Sequence, residues 1–266
     1  MRPAAPPDRW ADLRPRVISA VVMVAFGVVV IWAGGMVFAA AAAAVCGVMI
    51  WELARMTRVG TPDLSLLLAV LAALALAVVV IFEVPLLVLL LALPAVAGVL
   101  GPRQVKVVFA AYALLVMLTG HGLVSLRETQ GLVALIWLIL VVVASDLAGY
   151  FAGRIFGGPK FWPSVSPKKT WSGTLAGWIG AALVGLGFVL AGQGGWGLVM
   201  LSPLVALAGQ IGDIAESGIK RRVGVKDSSN LIPGHGGVMD RFDALAGAAV
   251  VIYFLSLVVV LPIGGP

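Results

Sequence analysis

The sequence is poor in charge: 18 Lys and Arg and 12 Asp and Glu among 266 residues, 11% in all, against 61% hydrophobic residues. Its mean hydropathy is +1.10. A soluble domain of this length could not bury so much apolar surface, so the natural solvent is a bilayer. The single cysteine, Cys46, lies in an apolar run and excludes an internal disulfide and any Cys-based zinc motif. Two histidines, His121 and His235, are too few for a zinc site. No P-loop ending in Gly-Lys-Ser/Thr occurs. Gly192-Gln-Gly194-Gly-Trp-Gly197 matches GxGxxG only formally, in a short loop with no strand before it. No soluble domain, repeat or low-complexity tail stands apart.

What is present is a series of long apolar runs. A spanning helix needs roughly 20 apolar residues, and nine runs fit, at 16–33, 36–54, 64–82, 84–101, 105–124, 131–153, 173–192, 196–218 and 241–262. Gly34-Gly35, Thr61-Pro62, Gly101-Pro102 and Gly194-Gly195 break them, and Pro85 divides the third from the fourth. Gly149-xxx-Gly153 and Gly173-xxx-Gly177 suit close helix packing in lipid. The first sixteen residues are polar and Pro-rich, so the first run reads as a retained helix rather than a cleaved signal.

The cations test this count. With the N-terminus inside, the cytoplasmic segments hold four, two, two, four and five Lys/Arg, seventeen of eighteen, and only Arg127 falls on an outer loop. The positive-inside rule therefore favours an all-α polytopic membrane protein, about nine transmembrane helices, N-in and C-out. It also explains the pI near 9.9 by topology, with no nucleic-acid partner. Residues 1–130 form an N-terminal set of five helices. Residues 131–266 hold helices six to nine, with cytoplasmic loops 154–172 and 219–240, in one membrane unit.

Charge this scarce makes its placement informative. An acid facing lipid costs about 2.5–3.5 kcal/mol on insertion scales, yet Asp146, Asp213, Glu216, Asp240 and Asp243 all sit in or beside spans and converge on the cytoplasmic side. Asp213, Glu216, Ser217 and Lys220 follow at i, i+3, i+4 and i+7 and share one helical face. Asp240 and Asp243 open the last helix, where the dipole favours negative charge. Buried ion pairing with nearby cations is the bland reading. Oxygen ligands beside bound phosphate are the environment magnesium prefers.

Two basic loops supply the phosphate grip. In RIFGGPKFWPSVSPKKTWSG, Lys168 and Lys169 precede Thr170 and an expected helix start, a place suited to an anion. The alternative is a membrane anchor, with Trp162 and Trp171 as interfacial aromatics. In SGIKRRVGVKDSSNLIPGHGGVMDRFD, Gly234, Gly236 and Gly237 let backbone N–H groups approach a phosphate. His121 and Cys46 read as packing residues, and Glu52 and Glu83 as lone acids without a partner cluster.

These residues strongly resemble the phosphatidate cytidylyltransferase (CDP-diglyceride synthetase) family. The signature appears as Ser217, Lys220-Arg221, Lys226-Asp227, Pro233-Gly234-His235-Gly236-Gly237 and Asp240-Arg241-Phe242-Asp243. Gly212-Asp213, Glu216-Ser217, Ser145-Asp146 and Ser166 to Trp171 resemble further family segments, so the match runs over about residues 145–243. Leu147 stands where the family often has Thr or Asn, and Ser172 where it usually has Glu; neither touches the main signature.

The resemblance implies transfer of a cytidylyl group from CTP to phosphatidate, giving CDP-diacylglycerol and pyrophosphate; the charge topology puts the site at the cytoplasmic face, and the compact chain is expected in a prokaryotic inner (plasma) membrane. It implies Asp213, Asp240 and Asp243 as Mg2+ ligands, with Asp146 and Glu216 as additional acids and a second cation such as K+ sharing the site. Lys168, Lys169, Ser217, Lys220, Arg221, Gly236, Gly237 and Arg241 would bind phosphates, and Lys226, Asp227 and His235 would act in catalysis. Membrane lipids and a second copy in a homodimer are the implied partners. A CTP-dependent lipid kinase is the nearest alternative. A CDP-alcohol phosphotransferase lacks its Asp-Gly…Asp…Asp pattern here, and a transporter would place acids at the bilayer midplane of repeat-related halves.

Overall fold

The computed structural model describes residues 13–60 and 63–264. The polar segment through residue 12 and the Thr61-Pro62 break lie outside the described residues. Nine α-helices occur among them, at the nine expected places: α1 (Leu13–Ala33), α2 (Gly35–Thr57), α3 (Ser65–Phe82), α4 (Leu93–Leu100), α5 (Lys106–Thr129), α6 (Gly131–Ile155), α7 (Trp171–Leu190), α8 (Gly197–Val223) and α9 (Met239–Ser256). In hydrocarbon every backbone polar group needs an internal partner, and a helix supplies one within the segment. Seven are long and apolar enough to cross a membrane. The protein is an integral membrane protein.

The two exceptions have identifiable causes. The fourth apolar run is a 3-10 helix over Pro85–Ala92 that passes into the short α4. Pro85 and Pro94 each lack an N–H, so no uninterrupted α-ladder runs through the segment. Helix α9 carries Asp240, Arg241 and Asp243 in its first turns, which lowers its apolar character where it begins.

The all-α expectation needs one addition. The loop between α6 and α7 contains a two-stranded antiparallel hairpin, β1 (Lys160–Trp162) and β2 (Ser166–Thr170), pairing Lys160 with Thr170 and Trp162 with Ser166. Thr170 then caps α7, accepting the Gly173 N–H on Oγ1 at 3.2 Å, so the helix starts where the sequence placed it.

The chain alternates between two ends of the bundle. At one end, Ser19 near the start of α1 bonds the carbonyl of Pro233. There too, Arg103 ties α2 to the α4–α5 connection, donating to Ala54 O (2.9 Å), Thr57 Oγ1 (3.1 Å) and Gly98 O (2.7 Å). At the other end Gly34, with φ +62°, turns the chain from α1 into α2 against the guanidinium of Arg127. Arg127 lies in the last turn of α5, not in a loop. Gly195 there bonds Pro262.

Glycine lets the helices that carry acids touch backbone to backbone. A Cβ on Gly212 of α8 would run into Asp243 O of α9, and one on Gly247 into Ala208 O. The expected small-residue contacts also form: a Cβ on Gly173 would lie 2.6 Å from Gly149 O, and one on Gly177 2.8 Å from Ser145 Oγ. The apolar core, with Trp137, Phe109, Met49 and Leu138 wholly buried, fills the space among α2, α5, α6 and α9.

Candidate active site

The acids meet where α8 ends and α9 begins. Ligand atoms of Asp213, Glu216 and Asp243 all lie within 4.8 Å of one another. Asp213 and Glu216 are one turn apart on α8, and the Gly212–Gly247 contact brings Asp243 of α9 against them. Glu216 is fully buried, and its Oε1 has no hydrogen-bond partner. A buried carboxylate oxygen without a donor, flanked by two more carboxylates, is an arrangement that a bound cation would satisfy.

Cations border this triad. Lys169 Nζ lies 2.6 Å from Asp213 Oδ2 and 3.3 Å from the Gln210 carbonyl. Lys220 Nζ lies 2.6 Å from Glu216 Oε2 and 2.6 Å from Asp240 Oδ1. Ser217 donates to Asp213 at 3.3 Å. Asp240 joins the cluster through Lys220. Its other oxygen accepts Ser228 N (2.9 Å), Ser228 Oγ (2.9 Å) and Gly237 N (2.8 Å), so this carboxylate also folds the α8–α9 loop. The Gly237 N–H is thereby directed at Asp240.

Two polar hollows open beside Lys226 and Asp227, which line both. The larger, about 610 Å³, is lined by Arg16, Asn230, His235 and Arg241 as well. The smaller, about 200 Å³, takes Lys168, Ser217, Lys220 and Arg221. Strand alternation in β2 separates the adjacent lysines, sending Lys168 to the small hollow and Lys169 to Asp213. The Pro-Gly-His-Gly-Gly turn is closed by Ile232 N to Gly236 O (2.8 Å) and His235 N to Ile232 O (2.9 Å), with Gly234 and Gly236 at φ +75° and +83°. His235 Nδ1 is 2.9 Å from Ser19 Oγ on α1. Behind the turn, an apolar cavity of about 350 Å³ runs among α1, α2, α5, α6 and α9, and Ile232 lines both it and the larger polar hollow.

Asp146 is exposed on α6 and is not part of the triad, while its neighbour Ser145 is buried and receives Gln210 Nε2 at 3.4 Å. At the two positions that depart from the family pattern, Leu147 is exposed, and Ser172 donates to the Gly157 carbonyl and lies 3.0 Å from Thr170 Oγ1. His121 packs edge-on to Tyr253, and Cys46 is buried with Sγ on the Val116 carbonyl.

Two residues escaped the sequence reading. Glu52 is not a lone acid: it is fully buried, with both oxygens accepting from the α8–α9 loop. Arg16, grouped with the N-terminal cations as a topology signal, lines the larger hollow and packs on Gly234. The one available signal was the cost of leaving Glu52 in an apolar helix.

Fold and site together define a polytopic membrane protein with an acidic cluster bordered by two hollows that basic side chains line, at one end of the bundle. The chain belongs to the cytidylyltransferase family, whose model matches residues 14–259. It is similar to the phosphatidate cytidylyltransferase of Brucella suis biovar 1, 46% identical over 133 residues that cover 49% of each chain. It is also similar to the proteins of that name from Helicobacter pylori, 42% identical over 51% of this chain and 53% of the relative, and Staphylococcus saprophyticus, 39% identical over 55% and 58%. The match thus spans about half the length of these curated relatives.

Proposed function

We propose that the protein transfers a cytidylyl group from CTP to phosphatidate, releasing pyrophosphate and leaving CDP-diacylglycerol in the membrane. The observation that carries this reading is the meeting of Asp213, Glu216 and Asp243 beside two basic hollows that share Lys226 and Asp227. The names of the bacterial relatives support it. An oxygen of the lipid phosphate attacks the α-phosphorus of CTP; the new P–O bond forms as the bond to the β-phosphate oxygen breaks, and the electron pair leaves with pyrophosphate. The attacking phosphate is already ionised, so no strong general base is needed, and positioning and charge neutralisation dominate.

Asp213, Glu216 and Asp243 hold a divalent cation, Mg2+ by preference for oxygen ligands, with Asp240 at the edge of the site and a second cation such as K+ beside it. When bound, the metal neutralises phosphate charge. Lys168, Lys220, Arg221, Lys226, Arg241 and Arg16 bind the two substrates' phosphates, while Lys169 holds Asp213. Ser217 and Gly236 shape the walls, Gly237 fixes the loop on Asp240, and Asp227 and His235 orient the loop or the departing pyrophosphate. Asp146 acts from outside the triad. An amphiphile whose phosphate sits in the larger hollow has the apolar cavity next to it for hydrocarbon.

We read the nine helices as N-in and C-out. Residues 1–130 brace the catalytic set 131–266, and the site faces the cytoplasm of a prokaryotic inner membrane. The cation asymmetry supports this orientation, as does the gathering of Ser19, Arg103 and the α8–α9 loop at one end. A homodimer is the proposed assembly.

The test is incubation of detergent-purified protein with CTP, short-chain phosphatidate and Mg2+, following pyrophosphate and lipid-linked cytidine. Both products, dependent on phosphatidate and abolished by EDTA, support the reaction. Released CDP with a newly phosphorylated lipid alcohol would point to a lipid kinase, and silence with every lipid would remove the assignment.

A further inference from the structure

We infer that Glu52, on α2, is a positioning residue that clamps the α8–α9 loop into its working shape. Oε1 accepts Ser229 Oγ at 2.6 Å and Val238 N at 2.9 Å; Oε2 accepts Met239 N at 2.7 Å and Ser228 Oγ at 3.3 Å. All four donors belong to the segment 228–239, some 176 to 187 residues away in sequence. The side chain is fully buried and has no cationic partner among the described residues. Its charge is balanced by donors alone, two of them backbone N–H groups at the positive end of the α9 dipole. Glu52 thus supplies, from a distant helix, the carboxylate that would ordinarily cap α9 from its own loop.

The arrangement joins the two halves of the site. The single Ser228 O–H lies between the two acids, 2.9 Å from Asp240 Oδ2 and 3.3 Å from Glu52 Oε2, so one shared hydroxyl couples the clamp to the acid that pairs with Lys220. Gly237 records the same fit: a Cβ there would collide with Ser228 Oγ and Glu52 Oε1, so the clamp leaves room only for glycine. Lys226, Asp227 and His235 lie on the loop so held. Glu52 itself lines neither polar hollow, so it acts through the loop and not on substrate.

This inference rests on the reading of that loop as the phosphate-binding segment. The test uses the full-length protein in detergent with Glu52→Gln, Glu52→Asp and Ser229→Ala. Glutamine keeps the size but turns an NH2 towards two donors. In Glu52→Gln we expect amide exchange to accelerate across 228–239 while α2, α5 and α6 keep wild-type protection. We also expect Mg2+–CTP to slow exchange of the loop in the wild type and to have no such effect in Glu52→Gln. Turnover should fall about 100-fold, as expected when groups are displaced by about 1 Å. Glu52→Asp, with both oxygens retained, should recover part of the turnover, and Ser229→Ala should loosen the loop less.

Exchange that rises equally across all helices with a lowered melting temperature would overturn the clamp in favour of a purely structural role. So would wild-type loop exchange in Glu52→Gln. Should Glu52→Gln fail to fold, Ser229→Ala decides by the same exchange pattern. If wild-type protein makes no lipid-linked cytidine, the catalytic reading falls, while loop exchange still judges the clamp.

Discussion

Lys220 lies 2.6 Å from Glu216 Oε2 on its own helix and 2.6 Å from Asp240 Oδ1 on the next, so one ammonium group stitches α8 to α9. All three side chains are largely or wholly buried, which makes the pair costly to break. Lys220→Met leaves two acids without their cation. It should lower stability by about 3–5 kcal/mol, read as a fall in detergent melting temperature, and abolish cytidylyl transfer. Lys220→Arg should recover stability better than activity.

Asp213→Asn removes a carboxylate charge from the triad and from the ion pair with Lys169. Turnover should drop at least about 100-fold, a loss of roughly 2.7 kcal/mol of transition-state stabilisation, with the melting temperature nearly unchanged because Asp213 is only half-buried. Titration with Mg2+ should show a raised requirement. Near-normal turnover would remove Asp213 from the site.

Arg16→Ala should raise KM for the phosphate-bearing substrate about tenfold, equivalent to about 1.4 kcal/mol, and leave kcat within a factor of about three. Arg16 lines the hollow without touching the triad's acids. Initial-rate kinetics with CTP and phosphatidate varied in turn would assign the hollow to one of them.

Two glycines should behave oppositely. Gly237→Ala drives a methyl into Ser228 and Glu52 and should abolish activity by displacing the loop. Gly187→Ala, at an exposed position of α7 with nothing within 4 Å of the added Cβ and away from the cavities, should leave activity unchanged and gain up to about 1 kcal/mol of helix propensity.

Ser202→Ala strands the wholly buried Trp137 indole N–H, which donates to Ser202 Oγ at 3.0 Å. The loss should be about 1–3 kcal/mol of stability, with kcat and KM per folded molecule unaltered. Thermal denaturation beside activity normalised to folded protein separates this variant from those at the site.

Much of the helical framework was legible because each span is a long apolar run closed by Gly, Pro or charge, and the α7 start was legible from Thr170 and its backbone partner. The hairpin was not. Lys160–Trp162 and Ser166–Thr170 are short and largely polar and lack the alternation that marks a strand, so only tertiary contact with α7 and α8 settles their form. On the site, the i, i+3, i+7 spacing placed Asp213, Glu216 and Lys220 on one face. It could not reveal that Lys220 also reaches Asp240, nor that Glu216 completes a triad with Asp243, because those distances depend on how closely α8 and α9 approach. Glu52 and Arg16 were hidden for the same reason: their partners lie some 200 residues away.

The contact of Gly212 with Asp243 O and of Gly247 with Ala208 O means that α8 and α9 rest against a hard stop. Side chains at a helix crossing yield by changing rotamer, whereas main-chain atoms already in contact cannot approach further. The backbones that carry Asp213 and Asp243 therefore cannot move closer, and only the rotamers of the two side chains can change the gap between their carboxylates. Thinning or thickening the surrounding bilayer would accordingly tilt α8 and α9 as one body, with the spacing of their main chains at the acidic end unchanged.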